Sequence, residues 1–403
     1  MATTAKRVAL ICDYSLEYLG GAQSAFLDSA AVLRESGVEV TVVAPHVGAT
    51  PTDPDRFPVQ ARWTLPGVDL PVVRNTAALR RDLRDLFVER GIEVVHCHSE
   101  FGLTAAAVQV AADLGLPVVH TVHTFFWQGP RLGLLDRPVA GVIRLFGRWL
   151  RGERIARRPL AQRQVDSALR GITLTAARHA QTVVSPSAHQ GARLREAGLA
   201  NVAIVPNTMP GADAEAKPLT AIDGPLRIAW VARLVPEKRI LEFLDAVLRA
   251  SVSLGPDRLE VTVVGDGPLM SRAREIAAGT PGLRFAGRVD RDRVRGIMRE
   301  SHLVALTSFG FDNQPVIVVE ALNEARSVLY VDDALQEGLS EAGILASGPD
   351  AAGMAATLIE LARDPRRVVE QSQRALAAAE QFSPAGHVRA LQQIYTAPAG
   401  GTA

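Results

Sequence analysis

The sequence predicts an α/β protein of two domains, each a doubly wound, mainly parallel sheet of the Rossmann type. Three observations carry this. Short apolar runs alternate with helical patterns along nearly the whole chain, the signature of βαβ units rather than hairpins. The chain has 403 residues, more than one ordinary core supports. A polar stretch with Pro and Gly, GADAEAKPLTAIDGPLR at 211–227, interrupts the alternation near its middle as a linker does. The expected divisions are a first domain at 1–210, a linker at 211–225, a second domain at 226–384, and a last helix with a tail at 385–403.

RVALICDY at 7–14 reads as a buried first strand. Gly20 and Gly21 follow, then a helical pattern from Ala22 to about Glu35, with Gly37 on its C-cap side. VEVTVVAP is the second strand. This βαβ unit lacks G-x-G-x-x-G, which disfavours a dehydrogenase. Residues 49–75 are Pro-rich and predict loop with a short edge strand. A helix at 77–90 leads into IEVVHCHSE, a strand ending in polar residues, and a helix from Phe101 to Leu114 precedes the strand PVVHTVHT. His123 stands where that strand ends; by itself it suits either a core histidine or a hydrogen-bonding group at the sheet edge. His96 and His98 share one strand face, but no further ligands at metal-site spacing accompany them.

From 131 to 170 there are ten Arg against three acids. Val139, Val142, Ile143, Phe146, Trp149 and Leu150 share one helical face, with Arg144, Arg148 and Arg151 opposite. Such a helix suits either an anionic membrane surface, over residues 139–158, or a cover for the first domain's core. Ala168–Ala180 reads as a helix, TVVSPS as a strand, 188–197 as a helix and VAIVPNT as a strand.

In the second domain LRIAWVAR is the opening strand, with Arg233 at its end and Lys238 five residues on. LEVTVVGDGP follows; Gly265 and Gly267 suit either a close backbone approach to ligand or a plain turn. LRFAGRV carries Arg288 and Val289 at its end. The stretch LVALTSFGFDNQPVIVVEALNEARSVLY organises this half: a buried strand at Leu303–Leu306, a turn, and a helix to about Ala325. Asp312 and Asn313 are candidate N-caps, Pro315 suits the first turn, and Glu320 lies inside the helix. Helix N-termini at this edge offer free N–H groups to a phosphate. Beyond Ala351 the chain reads as helical, broken at Asp364–Pro365.

A net charge of +1 gives no global field for nucleic acid. Cys12 and Cys97 sit inside apolar runs, as core residues in a reducing cytoplasm do. No signal peptide and no long uncharged apolar run is visible. Neither a P-loop nor a G-x-S-x-G elbow occurs. The D-x-D triplets Asp53–Asp55 and Asp290–Asp292 read as solvated surface rather than metal ligands.

Asp312 and Glu320 in this setting resemble the E-x7-E signature of the retaining, GT-B-fold glycosyltransferases of family 4, with Asp in the first acid's place. Arg233 and Lys238 match that family's R-x4-K pair. The resemblance implies two Rossmann-like domains facing each other across a cleft, the last helix packing back on the first. It implies sugar transfer from a nucleotide sugar, a UDP- or GDP-sugar used as substrate, with neither cofactor nor metal. Arg233 and Lys238 would hold the diphosphate, Asp312 the sugar and Glu320 the ribose. Gln314, Pro315 and Val316 lie at the phosphate-binding turn, Gly21 admits the diphosphate, His123 stands by the reaction centre, and Arg288 and Val289 meet the nucleobase. The basic helix inclines the acceptor toward a lipid or lipid-linked sugar, used by a cytoplasmic protein peripheral to the inner face of the plasma membrane. A nucleotide-sugar epimerase and a catalytically silent nucleotide-sugar binder remain alternatives.

Overall fold

The apolar run at Arg7–Ile11 forms the central strand β1, whose side chains alternate between two cores. Ala9 and Ile11 face one core; Val8 and Leu10 face the other. Burial on both faces is why this strand reads as continuously apolar. The computed structural model describes residues 4–17, 20–46, 55–65, 70–129, 131–210 and 216–397. The chain divides into two units, residues 1–210 with 384–403, and residues 211–383.

In the first unit β1 is followed by α1 (Gly21–Glu35), β2 (Glu39–His46) and β3 (Arg56–Gln60). A short antiparallel ribbon, β4 (Thr64–Leu65) with β5 (Leu70–Pro71), precedes α2 (Ala77–Glu89), β6 (Val94–Cys97), α3 (Gly102–Leu114) and β7 (Val118–Thr121). Next come α4 (Asp136–Arg151), α5 (Gln164–Ala177), β8 (Thr182–Ser185), α6 (Ala188–Glu196) and β9 (Val202–Ile204). The sheet order is β3-β2-β1-β6-β7-β8-β9, with every pairing parallel. The strand order reverses direction between β1 and β6, the switch point where ligands bind in such sheets.

The second unit runs β10 (Leu226–Val231), α7 (Ile240–Leu254), β11 (Leu259–Val264), α8 (Met270–Ala277), β12 (Leu283–Gly287), α9 (Arg291–Glu300) and β13 (Leu303–Leu306). It continues with α10 (Val316–Asn323), β14 (Ser327–Tyr330), α11 (Leu339–Ala342), β15 (Gly343–Leu345), α12 (Ala351–Arg363) and α13 (Arg366–Ala379). Its sheet is also parallel, in the order β12-β11-β10-β13-β14-β15, and its switch point lies between β10 and β13. The final helix, α14 (Pro384–Tyr395), belongs to the first unit, where Leu391 and Tyr395 join the core of Val8 and Leu10.

Three expectations are corrected. The basic helix stops at Arg151 because Gly152 takes a left-handed conformation, so 153–158 is not helical. The next helix begins at Gln164, four residues before Ala168. In the organising stretch neither Asp312 nor Asn313 caps the helix: Pro315 is the N-cap, and Asp312 pairs elsewhere. Of the D-x-D triplets, Asp53 lies outside the described residues, and Asp290 caps α9 by accepting from the Arg293 N–H.

Candidate active site

In the second unit the turns after β10 and β13 lie side by side because those strands are neighbours at the switch point. Arg233 follows β10 by two residues and is exposed. Lys238 ends a single 3-10 turn, Pro236–Lys238. Thr307, just past β13, anchors that turn: its hydroxyl donates to the Lys238 carbonyl (2.7 Å) and accepts from the Trp230 indole N–H (2.9 Å). The Lys238 ammonium then donates to both oxygens of Asp312, at 2.6 and 2.8 Å. Residues 74 positions apart are thus joined in a partly buried, two-point contact, the charge-assisted kind that fixes direction as well as distance. The ammonium also lies 5.6 Å from the Phe311 ring centre. Gln314 is buried, while Pro315 and Val316 are half-buried at the start of α10.

Glu320 lies within α10, 3.4 Å from Arg291 at the start of α9. Arg288 and Val289 lie in the turn between the edge strand β12 and α9, Arg288 exposed and Val289 half-buried. Gly265 and Gly267 serve packing inside the unit. Both have positive φ, and an added Cβ would meet the Ala232 carbonyl at 1.9 Å and the Leu234 carbonyl at 2.6 Å, respectively. The turn after β11 therefore buttresses the one carrying Arg233, and Leu234 N–H donates to the Asp266 carbonyl.

The first unit's switch point contains residues that reading the sequence missed. Asp13, two residues past β1, is 1% exposed. Its carboxyl accepts from the N–H groups of Phe101, Leu103 and Thr104 and from the hydroxyls of Ser99 and Thr104. It satisfies the start of α3, whose Gly102 leaves no space for a side chain: a Cβ would meet the Val73 carbonyl at 2.1 Å. Glu100 sits beside it, accepting from Trp127 Nε1 (3.2 Å) and Thr173 Oγ1 (3.1 Å), with Tyr14 Oη at 3.5 Å. Burial, and then the charge of Asp13, pushes the Glu100 carboxyl up to about 7. The only local signal is that Asp13 follows an apolar run; Glu100, behind His98 and Ser99, has none.

His123, half-buried past the end of β7, is joined to His98 by a 2.9 Å bond between ring nitrogens. His96 bonds Tyr395 and Thr121, each at 2.7 Å. His387 of α14 bonds Ser29 at 3.0 Å and the Pro206 carbonyl at 2.9 Å. A cavity lined by His96, His98, Thr121, His123, Asn207 and His387 lies among them. Burial holds His123 and His387 down to about 4 and His120 to about 3. Among the described residues, no group of three His, Cys, Asp or Glu side chains could hold a metal. Gly21 is the first residue of α1, with open space where a side chain would stand; that helix has no acid in its first turn.

Helix α4 divides its apolar residues between two faces. Ala140, Gly147 and Leu150 are buried, and Ala140 packs with Val165 and Ala168. Leu135, Pro138, Val142, Leu145 and Trp149 form an exposed row at spacings of three and four. Arg148 is exposed, but Arg151 is not part of the basic face. It is 0% exposed, donates to the carbonyls of Glu100 and Phe101, and pairs with Glu153.

Known proteins extend these observations. The model of Glycosyltransferase Family 4 matches residues 19–210, and that of Glycosyl transferases group 1 matches residues 225–364. The phosphatidyl-myo-inositol mannosyltransferase of Mycolicibacterium smegmatis is 28% identical over 375 residues, covering 89% of this chain and 85% of that protein. The protein of the same name from Mycobacterium tuberculosis is 27% identical, over 81% of this chain and 78% of its own. Among solved structures, Anabaena HepE in complex with UDP and glucose superposes with a TM-score of 0.66 at 13% identity, over 96% of this chain and 99% of its own. A variant of S. aureus TarM in complex with UDP gives 0.67 at 10% identity, over 97% of this chain and 100% of its own. With family models on both halves and the two-domain GT-B fold matched over nearly its whole length, the chain belongs to the family 4 glycosyltransferases.

Proposed function

We propose that the protein transfers a hexose from a UDP- or GDP-sugar to a lipid or lipid-linked acceptor, with retention of configuration and without a metal ion. The observation that carries this reading is the Lys238–Asp312 contact at the switch point of the second unit, on the same turn as Arg233. As the bond from the anomeric carbon to the diphosphate breaks, negative charge grows on the phosphate oxygens. Arg233 and Lys238 stabilise that charge from positions fixed before the reaction starts. Asp312 aims the ammonium and faces the sugar, Gln314, Pro315 and Val316 form the turn beside the phosphates, and Glu320 takes the ribose hydroxyls. Arg288 and Val289 are assigned to the base. From the first unit, Gly21 is assigned to the diphosphate and His123 to a sugar or acceptor oxygen. The acceptor oxygen attacks the face the diphosphate leaves, and its proton passes to the departing phosphate oxygen.

The acceptor class is supported by the relatives named phosphatidyl-myo-inositol mannosyltransferases. No helix among the described residues is long and apolar enough to cross a membrane. We therefore place membrane contact on the exposed row of α4, flanked by Arg137 and Arg148, with the protein peripheral to the cytoplasmic face.

The test is a panel of UDP- and GDP-hexoses offered with phosphoinositide and glycolipid acceptors, with and without chelator. Transfer should survive chelation, and Lys238→Ala should lower kcat by roughly a hundredfold or more while the protein stays folded. A wild-type rate in folded Lys238→Ala overturns the assignment. Donor binding with neither transfer nor hydrolysis would instead favour the silent binder.

A further inference from the structure

His98 lies one residue past β6 and is 3% exposed. Its Nδ1 is 2.9 Å from Nε2 of His123, and the two rings are within 24° of parallel. Burial and the neighbouring histidines hold His98 well below the usual imidazole range, and burial holds His123 at about 4. At neutral pH both rings are therefore uncharged, so a single proton occupies the bond between them. The two possible donors have different consequences.

If His123 donated, His98 would carry its own proton on Nε2. That nitrogen is buried and has no hydrogen-bond partner among the described residues. The ring packs edge-to-face on Phe26, with centroids 5.0 Å apart, and lies 4.2 Å from the His96 ring. His96 has committed both its nitrogens, to Tyr395 and to Thr121. A bare N–H in such a place is rare and costly. If His98 donates instead, the atom left over is a lone pair, the more tolerated of the two.

We propose that His98 is a positioning residue: its Nδ1–H donates to Nε2 of His123 and fixes His123 as the Nδ1–H tautomer. His123 then meets a sugar or acceptor oxygen as a hydrogen-bond donor and does not act as a base. The consequence for transfer rests on the function proposed above; the tautomer does not. It also agrees with a reaction in which the acceptor's proton leaves with the phosphate.

The experiment is a two-bond 1H–15N correlation spectrum of the full chain labelled at histidine, with His123 assigned through a His123→Gln variant. At pH 7.5 His123 should show a pyrrole-type Nδ1 and a pyridine-type Nε2. His98→Phe keeps the ring against Phe26 but removes the donor; Nε2–H of His123 should appear, and kcat should fall about tenfold, the worth of one hydrogen bond. The donor KM should change little. His98→Asn places an amide near the lost Nδ1–H and should restore the tautomer and most of the rate. A pyridine-type Nδ1 on wild-type His123, or a tautomer unchanged in His98→Phe, overturns the proposal. The wild-type spectrum decides this even if a variant fails to fold. If the wild type transfers no sugar from any donor, the functional reading is lost while the spectrum still settles the tautomer.

Discussion

Replacing Glu100 by Gln should stabilise the first unit at alkaline pH and leave it nearly unchanged in mild acid. The carboxyl is 6% exposed and titrates at about 7 instead of 4.5, chiefly through burial. That displacement corresponds to about 3 kcal/mol, as an upper figure because the site can relax when charged. The sign follows from proton uptake. Between pH 4.5 and 7 the folded chain holds the proton more tightly than the unfolded chain does. Stability therefore falls as pH rises through that window and levels off above it. Gln is neutral throughout and keeps an oxygen for the Trp127 and Thr173 donors. Urea unfolding of both proteins at pH 5 and pH 8, followed by tryptophan fluorescence, measures the difference. It should be small at pH 5 and on the order of 1–3 kcal/mol in favour of Glu100→Gln at pH 8. An equal difference at both pH values would refute the reasoning, because a packing effect has no pH dependence.

The histidines should act in the opposite direction. His96, His98, His120, His123 and His387 are all held below the ordinary range by burial, so their contribution is present above about pH 6.5 and is lost as pH falls toward 4. The thermal midpoint of the first unit should fall steadily from pH 7 to pH 5, and a flat profile by differential scanning calorimetry would count against a neutral cluster. On α4, Val142 and Leu145 are 64% and 66% exposed. Glu at both positions should cut co-flotation with anionic vesicles roughly tenfold or more without changing the unfolding midpoint; equal flotation would remove α4 as the contact.

What the sequence disclosed follows from how far apart the interacting residues lie. The strands β1, β10 and β13 are legible because burial on both faces leaves a mostly apolar run, broken in β10 only by Arg227. The placement of Arg233 and His123 just past strand ends is legible for the same reason, since the end of such a run marks the edge of the sheet. Asp13 was not legible: its partners begin 86 residues later and are brought to it only by the pairing of β1 with β6. Arg151 was misassigned because it falls on the helical face of Arg144 and Arg148. Its burial is set by the carbonyls of Glu100 and Phe101, which no helical pattern encodes. Asp312 looked like a helix cap because a local N–H was the nearest visible partner, yet Lys238 is the stronger one.

The two switch points use their acids differently, and the difference bears on where an anionic donor can be held. In the first unit Asp13 accepts from the opening N–H groups of α3, so that helix start is already matched with a carboxyl. Helix α1, its neighbour across the switch, has no acid in its first turn and begins at Gly21, where the space is open. In the second unit the acid nearest the turn, Asp312, is engaged by Lys238 rather than by the start of α10, whose first turn also lacks an acid. Each sheet thus has, at its switch point, one helix whose first turn carries no acid, and the nearby acid is committed to a partner of its own. A phosphate approaching either edge meets N–H groups and, in the second unit, two cations, with the repulsion of Asp312 offset at 2.6 Å. Under the function proposed above, the Lys238–Asp312 pair is what would let an Asp stand in the first acid's place beside a bound diphosphate.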